Sequence, residues 1–293
     1  MKPTHICFSI LFLLMSIVVK SQDFQGVATY QTKTKFSIDL STSGIPADRI
    51  KMIEERMKSQ LEKTFTLNFN KTASIYKEEQ KLSQSEGLGG PGGGPGGGMR
   101  MMMMGGNATG NYYKNTATKT STKENEFSGK NFLVKDNLVS YDWKMEQETK
   151  MIGNYMCFKA TTIVEMAEKQ SFNFRRPEDR KEEEKAPEKP KMEPVIVTAW
   201  YSLDIPVNHG PDDYWGLPGL IFEISYGETN IMCTKIVLNP KEKTTIEEPS
   251  KGKVVTQLEY DTIVEEKTKE MRERFQDERQ KSGNEGRGGR SRG

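Results

Sequence analysis

Histidine and cysteine are scarce in this chain, at two and three residues of 293. His5 and Cys7 fall within the first twenty-one residues, which leaves His209, Cys157 and Cys233 for everything beyond. There is no HExxH pair to grip zinc, no GxSxG elbow to expose a nucleophile, and no CxxC to act as a redox dithiol. After the start of the chain there is also no apolar run near the ~20 residues that a spanning helix needs. A surplus of either charge is missing too, as the next paragraph works out. These absences speak against an enzyme, a nucleic-acid binder and a membrane-spanning protein.

What the first residues do contain is a secretory pattern. Lys2 gives a positive start, residues 6–19 form an apolar run of 14, and Val19-Lys20-Ser21 is an acceptable cleavage site. The sequence therefore predicts a signal peptide over 1–21 and a soluble, exported product, held in the periplasm, associated with the outer membrane, or secreted. Cys7 sits early in the apolar run, not at its end, which argues against a lipid anchor. Cleavage removes Lys2 and Lys20 and no acid, so 43 basic residues become 41 against 41 acidic ones. A neutral chain lacks the basic surplus that nucleic-acid binding usually needs.

Composition then divides what remains. Residues 82–110 include GGPGGGPGGGMRMMMMGGN, which cannot bury a core, and residues 167–194 are rich in charge and proline. Residues 281–293 form a Gly/Arg tail whose three arginines, Arg287, Arg290 and Arg292, are expected to be solvated. Disorder is predicted for all three. The rest, about 200 residues, suffices for one core-bearing domain over 22–280. Strand-like runs bracket both internal segments, so these are expected as long hairpin insertions.

Period-two patterning dominates the ordered parts. Phe65, Leu67 and Phe69 alternate with Thr64, Thr66 and Asn68. Further strands are expected over 27–38, 73–77, 112–120, 132–134, 138–145, 155–166, 195–203, 220–226 and 231–238, with a tight turn at Asp136-Asn137. Two helices interrupt them. Residues 46–63 place Ile50, Ile53, Met57 and Leu61 on one stripe behind Pro46. Thr256-x-x-Glu259 is a capping box, followed by a sparse stripe of Tyr260, Val264, Met271 and Phe275. The expected fold is mainly β (a β-rich α+β arrangement): a curved antiparallel sheet or half-open barrel, with one packed N-terminal helix and a charged C-terminal helix.

Between two strand-like runs lies Gly216-Leu217-Pro218-Gly219-Leu220-Ile221. Leu217 to Leu220 predicts a type II turn, with Pro218 setting φ and Gly219 supplying the positive φ at the third position. The hexapeptide resembles the signature of the GLPGLI family of Bacteroidota envelope proteins. Similarity extends to Thr198-Ala199-Trp200-Tyr201, to Asp204-Ile205-Pro206-Val207 with Gly210-Pro211, to the strand from Gly153 to Thr162, and to Lys251-Gly252-Lys253. It covers roughly residues 137 to 275. The Met/Gly insertion and the charged insertion depart from that pattern. The resemblance implies an exported envelope protein, and a curved sheet with an early helix looks like the half-barrel of periplasmic lipoprotein-sorting proteins.

Three sets of side chains could carry chemistry. His209, Asp212, Tyr214 and Trp215 share the loop before the hexapeptide and form a candidate binding surface, with a hydrolase centred on His209 as a distant alternative. Met99, Met101, Met102, Met103 and Met104 are soft donors suited to Cu(I), or an adaptable apolar contact, or low complexity. Cys157 and Cys233 each precede a lysine by two residues on a strand, which puts them on the less buried face. A disulfide between them requires adjacent or facing strands; two buried hydrophobes or a reactive dithiol are the alternatives. The leading functional expectation is a non-catalytic binding or accessory module for an apolar ligand or an envelope protein partner, with no cofactor. Copper handling through the methionines is the second.

Overall fold

The computed structural model describes residues 24–35, 48, 50–52, 61–79, 109–167 and 191–285. The signal peptide expected over 1–21, the methionine cluster and most of both expected insertions lie outside them. Twelve strands make one sheet: β1 (Gly26–Thr34), β2 (Lys63–Phe69), β3 (Ala73–Glu78), β4 (Thr109–Asn115), β5 (Thr120–Phe127), β6 (Lys130–Asn137), β7 (Lys144–Ile152), β8 (Tyr155–Ala167), β9 (Met192–Ser202), β10 (Leu220–Tyr226), β11 (Thr229–Leu238) and β12 (Lys253–Val255). One long helix, α1 (Gln257–Glu285), follows. Among the described residues strands far outnumber helix, so the fold is mainly β, and the sheet is open.

The strand order is β12-β6-β5-β4-β3-β2-β1-β11-β10-β9-β8-β7. Every neighbouring pair is antiparallel except β12, which runs parallel to β6. Two meanders, β1 to β6 and β7 to β11, thus meet at a seam between β1 and β11. Curvature follows from the connection between β6 and β7. Ten strand steps separate them, about 48 Å along the sheet at ~4.8 Å each. The six residues 138–143 join them and reach at most about 25 Å. The sheet must therefore curl until its ends approach. Register shifts at Thr29/Tyr30, Thr109/Tyr112, Met145/Thr149 and Ile221/Glu223 add the local bends a curl needs.

Pairing defines the inner face. Ala28, Leu67, Tyr76 and Tyr112 lie in one cross-strand row, and Phe69, Ser74, Lys114 and Ser121 in another. The main core forms between these residues and the β9–β10 loop, which contributes Ile205, Val207, Tyr214 and Leu217. A smaller core sits near the β6 edge, where Tyr260 of α1 packs edge-on against Phe132 at 5.4 Å with Phe127, Val134 and Val255 around it. The capping box forms in both directions: Thr256 N donates to Glu259 Oε2 at 2.8 Å, and Glu259 N to Thr256 Oγ1 at 3.3 Å.

Several sequence expectations change. The run 112–120 is a hairpin, with β5 starting at Thr120, and the polar strand β5 was not expected. Asp136 and Asn137 lie within β6, and residues 138–143 are the crossing connection, not a strand. Strand β9 begins at Met192, inside a segment expected to be disordered, and α1 extends to Glu285. Of the helix expected over 46–63, Asp48, Ile50, Lys51, Met52 and Leu61 are helical; its packing lies outside the described residues.

Cys157 and Cys233 are both free and buried. Strands β9 and β10 separate β8 from β11, a distance of roughly 14 Å along the sheet, against the 7 Å or less that a disulfide tolerates between Cα atoms. Each has a different cross-strand partner. Cys157 stands opposite Lys150 of β7 and Cys233 opposite Tyr30 of β1. Burial raises both thiol pKa values, to about 11 and about 12. They are small hydrophobes here, not a disulfide.

Candidate binding site under the β9–β10 loop

The loop of residues 203–219 folds inward and fills the curl of the sheet. Its own backbone ties it shut: Leu220 N donates to Ile205 O at 2.9 Å, Ile221 N to His209 O at 3.0 Å, and Gly216 N to Asn208 O at 3.1 Å. The expected type II turn is absent. Gly219 does not adopt positive φ; Gly216 does, at 95°. Gly219 is needed for another reason, since a Cβ there would lie 2.6 Å from the Ser202 carbonyl carbon and overlap its oxygen. Gly210 is similarly confined, with 2.8 Å from its virtual Cβ to Tyr214 O.

Lys114 of β4 is the pin that holds the loop. It is fully buried, and its ammonium donates to the carbonyls of Gly210 (2.8 Å), Asp212 and Tyr214 (3.2 Å). A lysine has three such protons, so all are used. Burial lowers its pKa to about 8, against the pull of Asp213 and Asp212. The sequence offered one clue to this residue, now legible: Lys114 shares a face with Tyr112, whose ring is buried.

The other expected site residues divide. His209 is 0% exposed; its Nε2 donates to Asn70 O at 3.1 Å and its Nδ1 has no partner. Burial, and then Lys114, push its pKa down to about 3, so the ring is neutral. It fastens the loop to the β2–β3 turn, out of reach of any substrate. Tyr214 is buried as well and joins an aromatic column with Tyr141 at 5.4 Å and Tyr226 at 6.2 Å. Trp215 staples the loop to the crossing connection: its Nε1 donates to Val139 O at 2.7 Å, and Trp143 Nε1 donates back to Trp215 O at 2.9 Å. The loop therefore does not present these four as one exposed surface.

Of the four, Asp212 is the one that lines a cleft beside the loop. The cleft has a volume of about 250 Å³ on the inner face, with Phe65, Tyr76, Tyr112, Lys123, Tyr226 and Ile231 among its walls. Phe65 and Tyr76 are stacked at 4.8 Å and 8°. Lys123 Nζ sits 4.5 Å above the Tyr112 ring and pairs with Asp213 at 2.9 Å. Burial, then the neighbouring Asp213, raise the Asp212 pKa to about 6. Asp213 ends below its ordinary value: burial works upward, but Lys123 and the Tyr112 hydroxyl outweigh it. Among the described residues, no three His, Cys, Asp or Glu side chains converge as a metal site.

Fold and site define a curled open sheet plugged by one of its own loops, with an aromatic cleft beside the plug. A family model described as a protein of unknown function (Porph_ging) matches residues 143–223, a stretch that contains the whole β9–β10 loop. No curated protein matches. Two solved structures of PNGF-II are similar at 13% identity, in the C2 form with a TM-score of 0.47 and in the P21 form with 0.45. Each covers 82% of this chain, which spans 32% and 33% of those chains, about a third of their length.

Proposed function

We propose that the protein is an exported, non-catalytic binding module of the cell envelope, and that its ligand enters the cleft beside Asp212. One observation carries this reading: the inner face leaves an open, aromatic-walled space of about 250 Å³ next to a loop otherwise packed without room. Small-ligand sites have this character, mostly apolar walls with a few placed polar groups. The secretory pattern of residues 1–21 and the hexapeptide's resemblance to exported envelope proteins support that compartment.

Native mass spectrometry of protein purified from the envelope tests it. A co-purifying small molecule or peptide that is displaced by Phe65→Trp, a substitution that fills the cleft, is the expected result. A bare chain of unchanged mass, or a bound species indifferent to Phe65→Trp, overturns it.

A further inference from the structure

We infer that the cleft is built for an organic ammonium group carried on an apolar body; this deepens the binding reading above and rests on it. The cleft's own cations are already spent. Lys63 pairs with Glu78 at 2.8 Å, and Lys123 pairs with Asp213 at 2.9 Å while covering the Tyr112 ring. Lys114, behind the loop, has all three donors on backbone carbonyls. Two carboxylates on the wall remain without a cation at hydrogen-bond distance. Among the described residues, Glu124 accepts the backbone N–H of Asn111 at 3.0 Å and Asp212 the backbone N–H of Asp213, neither of them a charged donor.

Aromatic groups surround the second of these. Asp212 is close enough to Tyr76, Tyr112 and Tyr226 for its charge to raise each phenol's pKa, after burial as the main cause. An under-compensated carboxylate ringed by aromatic residues attracts a cation twice, through its charge and through the ring quadrupoles. The protein demonstrates the second attraction itself, since Lys123 rests over Tyr112. Phe65 and Ile231 supply apolar wall for the ligand's body. An anion entering the same space would meet Asp212 and Glu124, and among the described wall residues every lysine is already paired.

Titration of the full chain with hexylamine, hexanol and hexanoate at pH 7.5, followed by NMR or calorimetry, tests the inference. The expected order is hexylamine tightest, by about tenfold over hexanol, with hexanoate weakest. Asp212→Asn should bring hexylamine to the level of hexanol, and Glu124→Gln should produce a smaller loss. Hexanol or hexanoate binding as tightly as hexylamine overturns the inference and leaves the binding reading standing; no binding by any of the three removes both. If Asp212→Asn fails to fold, the three-probe order on the native chain still decides. Where hexylamine leads, Nα-acetyl-lysine amide titrated beside it tells the two sources apart: the tighter of the two identifies a partner's lysine side chain or a free amine.

Discussion

Two buried residues of the loop pull the stability of the protein in opposite directions as pH falls. His209 takes its proton at about 6.5 when unfolded but near 3 when folded, so the unfolded chain binds more protons between those values and acid costs stability. Asp212 takes its proton at about 6 when folded and 3.8 when unfolded, so acid adds stability over that window. Each slope approaches ~1.4 kcal/mol per pH unit, and between about pH 6 and 4 they nearly cancel. Urea midpoints at pH 7, 6, 5 and 4 should show Asp212→Asn more acid-labile than the native chain and His209→Gln less so. Parallel profiles for all three proteins would refute the opposed pair. Asn suits position 212 because it tolerates the positive φ of 49° found there. Lys114 gives the larger single effect. Lys114→Met strands three carbonyls, two of them in buried hydrogen bonds, and should cost about 3 kcal/mol or more in urea unfolding.

Among the elements, the β9–β10 loop depends most on single glycines. Gly219→Ala drives a methyl into the Ser202 carbonyl, a backbone atom that cannot rotate away, and should cost more than Gly216→Ala, which has room but must hold a positive φ. The expected penalties are about 3 and about 1–2 kcal/mol, compared by thermal unfolding. The hexapeptide announced a shaped corner, but residue types alone could not say which glycine bends and which makes room. That depends on Ser202, which only pairing with Leu220 brings close. Strands with clean alternation, such as β2, were legible for the same reason that they pack: Leu67 and Phe69 are wholly buried. Strand β5 was not, because its buried positions hold Ser121, Thr122 and Asn125. The site was only half legible. Asp212 was singled out, but its walls come from β1 to β5, β10 and β11, and no local pattern reports that convergence. Lys114 was missed because a lysine on a strand ordinarily points to water.

At the scale of the whole molecule, the two cysteines give a simple check on the sheet order. Alkylation without reductant, followed by peptide mapping in denaturant, should find Cys157 and Cys233 both modified, and reductant should leave the melting temperature unchanged. A Cys157–Cys233 cross-link would mean a different strand order. The seam between β1 and β11 has a further consequence, one of timing. Gly26 pairs with Leu238, and the Tyr30 hydroxyl bonds to Ile221 O across 191 positions of chain. The first strand therefore waits for nearly the last before the two meanders can join. Until then each is a partial sheet with an unpaired edge, which places the protein among slow folders of high contact order and makes the interval before closure its most aggregation-prone one.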